Sequence, residues 1–414
     1  MDKFMFSLMI IGMSTFAMPW ILLLSRKLGI SYAIFYLIGG FLLYTFFSEH
    51  LPSPLPKNND SSILHLTELI VIISLMGAGI KIDIPFSIRK WTSSLRLVFI
   101  AMLLCIVAAA ALGYYMLDLN LAAAILLGAV LAPTDPVLAS DVQVGPPNEQ
   151  DKPFSKFILT TEAGINDGMA FPFTWLAVTV ASISMGEKTS ILYWFSYHLL
   201  YQIIAGIVLG YILGKATGYF VFDFSKKYKM LERLDGFLAI SLTLAAYGIT
   251  ELLHGYGFIA VFVSAITLRH YEKEHKYHKS MHSFTEQVEK MFVAVLLLLL
   301  GGSIVQGILS SLNWKMVLFS LMFLLLVRPL LAYISLLGVN LHHKEKLLIS
   351  FFGIRGMGSL FYLSFALNEI AFESEDTLWS IVTFSIALSI LIHGFTASPA
   401  LRYLSKSKAT GSSI

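Results

Sequence analysis

Charge is scarce in this chain. Only 13% of its 414 residues are Asp, Glu, Lys or Arg, and 57% are hydrophobic, whereas a soluble domain averages about 25% charge. So small a polar complement cannot cover a water-facing surface, and no separate soluble domain is present. Cysteine is nearly missing as well. The single Cys105 excludes a disulfide framework and a thiolate metal cluster, and its apolar surroundings make it a helix-packing residue. Basic residues are spread over short loops instead of gathered on one face, which argues against nucleic acid as a partner.

What recurs from end to end is apolar runs long enough to cross a bilayer. They predict thirteen transmembrane helices over 4–24, 30–48, 62–80, 97–117, 120–140, 155–184, 190–220, 235–253, 256–270, 291–310, 313–340, 346–368 and 377–403. The first run resembles a signal peptide. It is longer than a signal core and no small-x-small cleavage site cleanly follows it, so it is read as a span. The expected fold is an all-α polytopic membrane protein forming a single transport domain.

Basic residues favour the cytoplasmic side of short loops. With thirteen spans, 22 of the 29 Lys and Arg fall on one side. Only Lys3, Lys57, Lys188 and Lys315 fall on the other, and Lys215, Arg328 and Arg355 lie within spans. A missed span would scramble this separation. The reading therefore places the protein in the inner (plasma) membrane with the N-terminus outside, the C-terminus in the cytoplasm, and 405–414 as a short cytoplasmic tail.

Ionisable groups at membrane depth are costly, about 2.5–3.5 kcal/mol each on insertion scales, and so point to function. Here they are Glu68, Asp135, Glu162, Asp167, Arg328 and Arg355. Span five contains Ala132-Pro133-Thr134-Asp135-Pro136. Two prolines open the helix there, and the freed carbonyls with Thr134 could ligate a cation. The plainer alternative is a kink with Asp135 capping the second half-helix. Span six carries Glu162-Ala163-Gly164-Ile165-Asn166-Asp167-Gly168. At helical spacing Glu162 and Asn166 lie within about 40° of each other, and Asp167 points about 140° from Glu162. The two carboxylates thus face different surroundings. Glu162 is read as a structural partner of Arg328, and Asp167 as the group that titrates. Span twelve holds Gly353-Ile354-Arg355-Gly356-Met357-Gly358, whose glycines either break the helix or serve close packing.

Spans five and six, a broken helix then a long acid-bearing one, echo spans twelve and thirteen, a Gly-broken helix then a long apolar one. That is the pattern of two inverted six-helix repeats, 1–184 and 235–404, joined by a linker helix over 190–220, with broken helices crossing at the site.

These motifs resemble the NhaP-like branch of the monovalent cation/proton antiporters. The match rests on Thr134-Asp135-Pro136, the 162–167 motif, Val327-Arg328-Pro329 and Gly353-Ile354-Arg355-Gly356, in order. The resemblance implies that Asp167 binds proton and cation in turn, with Thr134, Asn166 and Asp135 close by. It also implies that Glu162 pairs with Arg328, that Arg355 sits at the crossing between Gly353 and Gly356, and that the protein is a homodimer. Asn166 stands where electrogenic relatives carry a second aspartate, which implies electroneutral one-for-one exchange. Ala163 replaces a serine that contributes to the ion site in some members. The expected substrates are H⁺ and Na⁺, with Li⁺ or K⁺ as alternatives, and no cofactor. Glu68 is a candidate for lining the site or its funnel.

Other classes fit less well. A channel needs filter rings or pore loops, and none is visible. An intramembrane hydrolase needs a Ser/His/Asp set or a paired-histidine motif at membrane depth, and none occurs, so the chain is not read as an enzyme. A sensor without transport leaves Asp167 unexplained. Within a cytoplasmic loop over 269–289, His270, His275, His278 and His282 are candidates for a pH sensor or a metal site. The plainer reading is a solvated amphipathic linker.

Overall fold

The computed structural model describes residues 3–56, 60–136, 138, 142–147, 153–224, 237–271 and 277–411. Within them the chain is a succession of helices. These are α1 (Lys3–Leu28), α2 (Tyr32–Phe47), α3 (Asp60–Ile80), α4 (Ile88–Met116), α5 (Leu121–Leu131), α6 (Phe154–Ser184) and α7 (Ile191–Phe224). There follow α8 (Phe237–Leu252), α9 (Gly257–Tyr271), α10 (Tyr277–Val305), α11 (Trp314–Ser335), α12 (His343–Phe351), α13 (Met357–Glu369) and α14 (Glu375–Gly411). Helix occupies part of each of the thirteen expected segments, and span twelve is divided between α12 and α13. Among the described residues eight helices are each long and apolar enough to cross a membrane. The remaining ones are short, broken or richer in polar groups.

Boundaries differ from the sequence reading in three places within the bundle, and α14 also continues past 403 to Gly411, into the expected tail. α4 begins at Ile88 instead of 97, and α10 begins at Tyr277 instead of 291. In both, a charged amphipathic turn continues the apolar span, because hydropathy marks the hydrocarbon width while the helix extends past it. The third is span five, where helix stops at Leu131. Pro133 and Pro136 have no amide hydrogen to donate, and each ring collides with the preceding turn.

The histidine-bearing loop is corrected accordingly. Residues 277–289 are helical, not a linker. His282 is buried and lies 3.5 Å from Glu286, which pairs with Lys290 at 2.7 Å. His270 is on α9, where Nδ1 faces the Ile266 carbonyl at 2.8 Å and Nε2 the Asp83 carbonyl at 3.3 Å. His275 lies outside the described residues. No group of three metal-ligating side chains occurs among the described residues.

Position in the bundle follows composition. α5 is almost wholly apolar, and nine of its eleven residues are buried, so it runs through the interior. Asn120 caps its start by accepting from the Ala123 amide at 2.9 Å. α1 and α7 instead expose large apolar side chains such as Phe16, Trp20, Leu192 and Ile204, the surface of a chain solvated by lipid.

Without a hydrophobic drive between helices in lipid, close backbone approach holds them together. On α7 the residues Gly206, Gly210, Gly214 and Gly218 recur every fourth position and share one face. A Cβ at Gly206 would lie 2.7 Å from the Tyr256 carbonyl oxygen, at Gly210 2.5 Å from that of Ala260, and at Gly214 2.7 Å from that of Ser264. This seam seats α7 on α9. Gly210→Val should therefore lower stability by about 1–3 kcal/mol, read as a fall in the melting temperature of the purified protein. Gly248→Ala, whose Cβ would meet nothing within 4 Å, should leave it nearly unchanged.

Candidate functional site

The two interruptions meet. After α5, residues 132–136 run without helix, and between α12 and α13 so do residues 352–356. The Asp135 amide donates to the Ile354 carbonyl at 2.8 Å, so the two stretches cross through a backbone hydrogen bond. Backbone broken at this depth has no water to fall back on, and its polar groups need partners from protein.

Each stretch supplies the other. Arg355 is fully buried, and its Nη1 donates to the carbonyls of Ala132 at 2.6 Å and Pro133 at 2.5 Å. Pro136 is the residue that would have bonded Ala132 in a continuous helix, and it has no N–H to do so. In return the Asp135 carboxylate accepts from the Met357 amide at 2.5 Å, at the first turn of α13, and from the Leu138 amide at 2.8 Å. A carboxylate at a helix start satisfies orphan donors and complements the positive end of the helix dipole. Asp135 thus caps α13, a helix of the other broken span, whereas the plainer sequence reading has it capping the second half of its own span. The freed carbonyls of Ala132 and Pro133 are engaged by Arg355. The Arg355 guanidinium also lies over the Phe323 ring, 5.3 Å from its centroid.

The glycines make room for these side chains. A Cβ at Gly353 would come within 2.5 Å of Arg328 Nε, and one at Gly356 within 2.6 Å of Leu138 Cδ1 as well as against the Asp135 carboxylate. Both sequence readings of the glycines, a broken helix and close packing, describe the same place.

α6 passes beside the crossing with two carboxylates that differ in circumstance. Glu162 accepts from Arg328 Nη2 at 2.5 Å, with side chains 1% and 2% exposed. Asp167 is 2% exposed, and no hydrogen bond or ion pair of its carboxylate is found among the described residues. Asp135 and Arg355 are charged groups close enough to act on it electrostatically. The carboxylate lies against Gly358, where a Cβ would stand 3.0 Å from Oδ1. A buried carboxylate without a fixed partner has two ways to be neutralised: it takes a proton or it takes a cation. Next to it, Asn166 donates from Nδ2 to Thr134 Oγ1 at 2.8 Å, and the Asn166 amide oxygen has no partner. An oxygen-rich corner of this kind suits a hard monovalent cation.

The sequence-predicted residues Thr134, Asp135, Asn166, Asp167, Gly353, Arg355 and Gly356 converge here, with Glu162 and Arg328 bracing them. Glu68 stands apart. It accepts from the Tyr247 hydroxyl of α8, and its other oxygen lies 3.0 Å from His65 Nδ1. Three contributors were not foreseen. Tyr362 donates to the Asp167 carbonyl at 2.5 Å, Ser359 to the Val130 carbonyl at 2.7 Å, and Ser389 accepts from the Arg355 amide at 2.9 Å. Ordinary hydroxyl residues in apolar helices carry no linear signal of such a role.

Comparison with known proteins adds to this geometry. The chain is 24% identical over 387 residues to a Na(+)/H(+) antiporter of Saccharomyces cerevisiae, covering 81% of this chain and 37% of that protein. It is 24% identical over 390 residues to the K(+)/H(+) antiporter NhaP of Alkalimonas amylolytica, covering 92% and 64%. It therefore spans less than two thirds of either relative. Its fold matches that of the sodium proton antiporter MjNhaP1 from Methanocaldococcus jannaschii with a TM-score of 0.74 at 20% identity, covering 97% of this chain and 98% of that one. The family described as sodium/hydrogen exchanger, transmembrane, matches over residues 12–403, which takes in both broken helices and every residue of the crossing, and the chain belongs to that family.

Proposed function

We propose that this chain exchanges a monovalent cation, Na⁺ first with Li⁺ or K⁺ as alternatives, for H⁺ across the plasma membrane in electroneutral one-for-one stoichiometry. The observation that carries the reading is the contrast on α6: Glu162 is held by Arg328, while Asp167 is buried at the crossing without a fixed partner. Asp167 is the shared group. Protonated, it is neutral and lets go of the cation. Deprotonated, it binds a cation with oxygens from the Thr134 and Asn166 corner. Either loaded form is neutral and can cross the apolar barrier, whereas the empty charged form is costly to move. That difference couples the two fluxes. Asn166, in place of a second acid, leaves one titrating charge per cycle. The core, comprising α5, α6, α12 and α13, moves against the rest of the bundle in an alternating-access cycle. The two inverted repeats flank α7 as linker, and the homodimer belongs to the same reading. The family membership and the names of the relatives support antiport. Arg355, already engaged with two carbonyls, supports a positioning role for that residue.

Asp167→Asn in proteoliposomes should reduce Na⁺-driven proton movement to the protein-free baseline while the protein still purifies as a folded species. Normal exchange by that variant would refute the assignment. Glu162→Ala should behave in the opposite sense, costing about 3–5 kcal/mol of stability by stranding Arg328, read by thermal unfolding.

Competition fixes the sign of the pH effect. Below the pKa of the site, protons displace the cation, so the apparent KM for Na⁺ should rise about tenfold for each unit the pH falls. Above it, KM should be flat. An imposed membrane voltage should leave the rate unchanged, and a voltage-dependent rate would exclude one-for-one exchange.

Sidedness is tested by labelling. A cysteine placed at Lys188 should react with an impermeant maleimide in intact cells, and one placed at Lys90 only after permeabilisation. Cys105 is fully buried and adds little background.

A further inference from the structure

Away from the crossing, a cavity of about 880 Å³ lies between α4 and α6 on one side and α7 and α9 on the other. It is as large as a typical small-ligand pocket. Its walls are almost entirely apolar, including Trp91, Phe99, Gly164 and Ile207. It opens sideways, among residues that face the hydrocarbon: Phe99 is 50% exposed and Ile207 47%. Inserted peptide backbone would find few partners on such walls and would leave its own polar groups unpaired. An acyl chain has no such requirement.

The polar side chains of the lining gather at one end. Thr267, His270, Tyr271 and Lys215 lie toward the ends of α7 and α9 that meet the lysine-rich membrane surface. Three of them are engaged: Thr267 donates to the Val263 carbonyl at 2.7 Å, His270 faces two carbonyls, and Tyr271 donates to Asp223 at 2.5 Å. Lys215 differs. Its ammonium lies 4.9 Å from the centroid of the Tyr211 ring, and no acidic side chain pairs with it among the described residues. An ammonium at the mouth of an apolar slot and near the end of its expected span can snorkel to the headgroups, where it suits an anion attached to a hydrocarbon tail.

We propose that this groove is a binding site for an anionic phospholipid, with an acyl chain between α4, α6, α7 and α9 and the phosphate on Lys215. The bound chain lies against Gly164, on the same helix as Asp167, and so touches both the site-bearing helix and α7.

Native mass spectrometry of the full chain in detergent, offered equal dioleoyl phosphatidylglycerol and dioleoyl phosphatidylcholine, tests this. The wild type should retain phosphatidylglycerol preferentially. Lys215→Gln should cut that preference about fivefold, as expected for one cation near the membrane surface, and Lys188→Gln, at the opposite surface, should not. Ile207→Trp, which fills the groove, should lower retention of both lipids. Equal retention of the two lipids by the wild type, or an unchanged preference in Lys215→Gln, would overturn the proposal. So would an Ile207→Trp protein that keeps its lipid but changes its oligomeric state, since the groove would then seat a second copy. If Ile207→Trp fails to fold, the lysine pair still decides.

Discussion

A main chain that leaves helical geometry inside hydrocarbon strands amide and carbonyl groups, each costing several kcal/mol if left unpaired. This protein breaks two helices at one point, and each break is satisfied by a charged side chain from the other. Asp135 receives the amide at the start of α13, and Arg355 fills carbonyls exposed after α5. Neither arrangement exists without the other. The glycines at 353 and 356 follow from it, since the space a side chain would need is filled by Arg328, Leu138 and Asp135.

The same arrangement explains why neighbouring carboxylates do different work. Asp135 is committed to backbone amides and Glu162 to Arg328. Each is bought into place by a partner of complementary hydrogen-bonding character, and each stabilises the geometry around it. Asp167 has no equivalent partner among the described residues, and the Asn166 amide oxygen on the preceding residue is likewise unpaired. Glu162 Oε2, Arg328 Nε and Arg355 Nε and Nη2 also lack a hydrogen-bond partner among the described residues, so unmet capacity of both signs surrounds the crossing. The carbonyls of Ala132 and Pro133 freed by the proline break are taken up by Arg355.

Outside the crossing, the bundle is held by backbone proximity more than by polar contacts. The glycine stripe of α7 against α9 lets carbonyl oxygens occupy the space that Cβ atoms would need, the usual means of helix association in lipid. The wide apolar groove borders this seam, with α7 and α9 forming one of its walls and α4 and α6 the other. One helix is thus tightly seated on α9 and loosely packed toward α4 and α6.

Much of this was legible in the residues. Apolar run length and the distribution of lysine and arginine placed helices in each expected segment, because hydrocarbon thickness and membrane charge act on composition directly. The doubled proline, the buried Asp167, and the match of Glu162 to Arg328 were readable for a related reason: each is an energetic exception that needs a compensating partner. What the residues alone left open was geometry across distant segments. The cap that Asp135 provides to Met357, the hold of Arg355 on Ala132 and Pro133, and the service of Tyr362 and Ser389 join positions 34 to 223 residues apart. The helical start of α10, hidden beneath its charges, was missed because hydropathy registers the width of the hydrocarbon and not the reach of a helix beyond it. Composition determined that this chain lives in a membrane and carries a few charges worth their cost. Only the folded arrangement decided which of those charges are locked and which one remains open, since pairing depends on which helices cross and how closely.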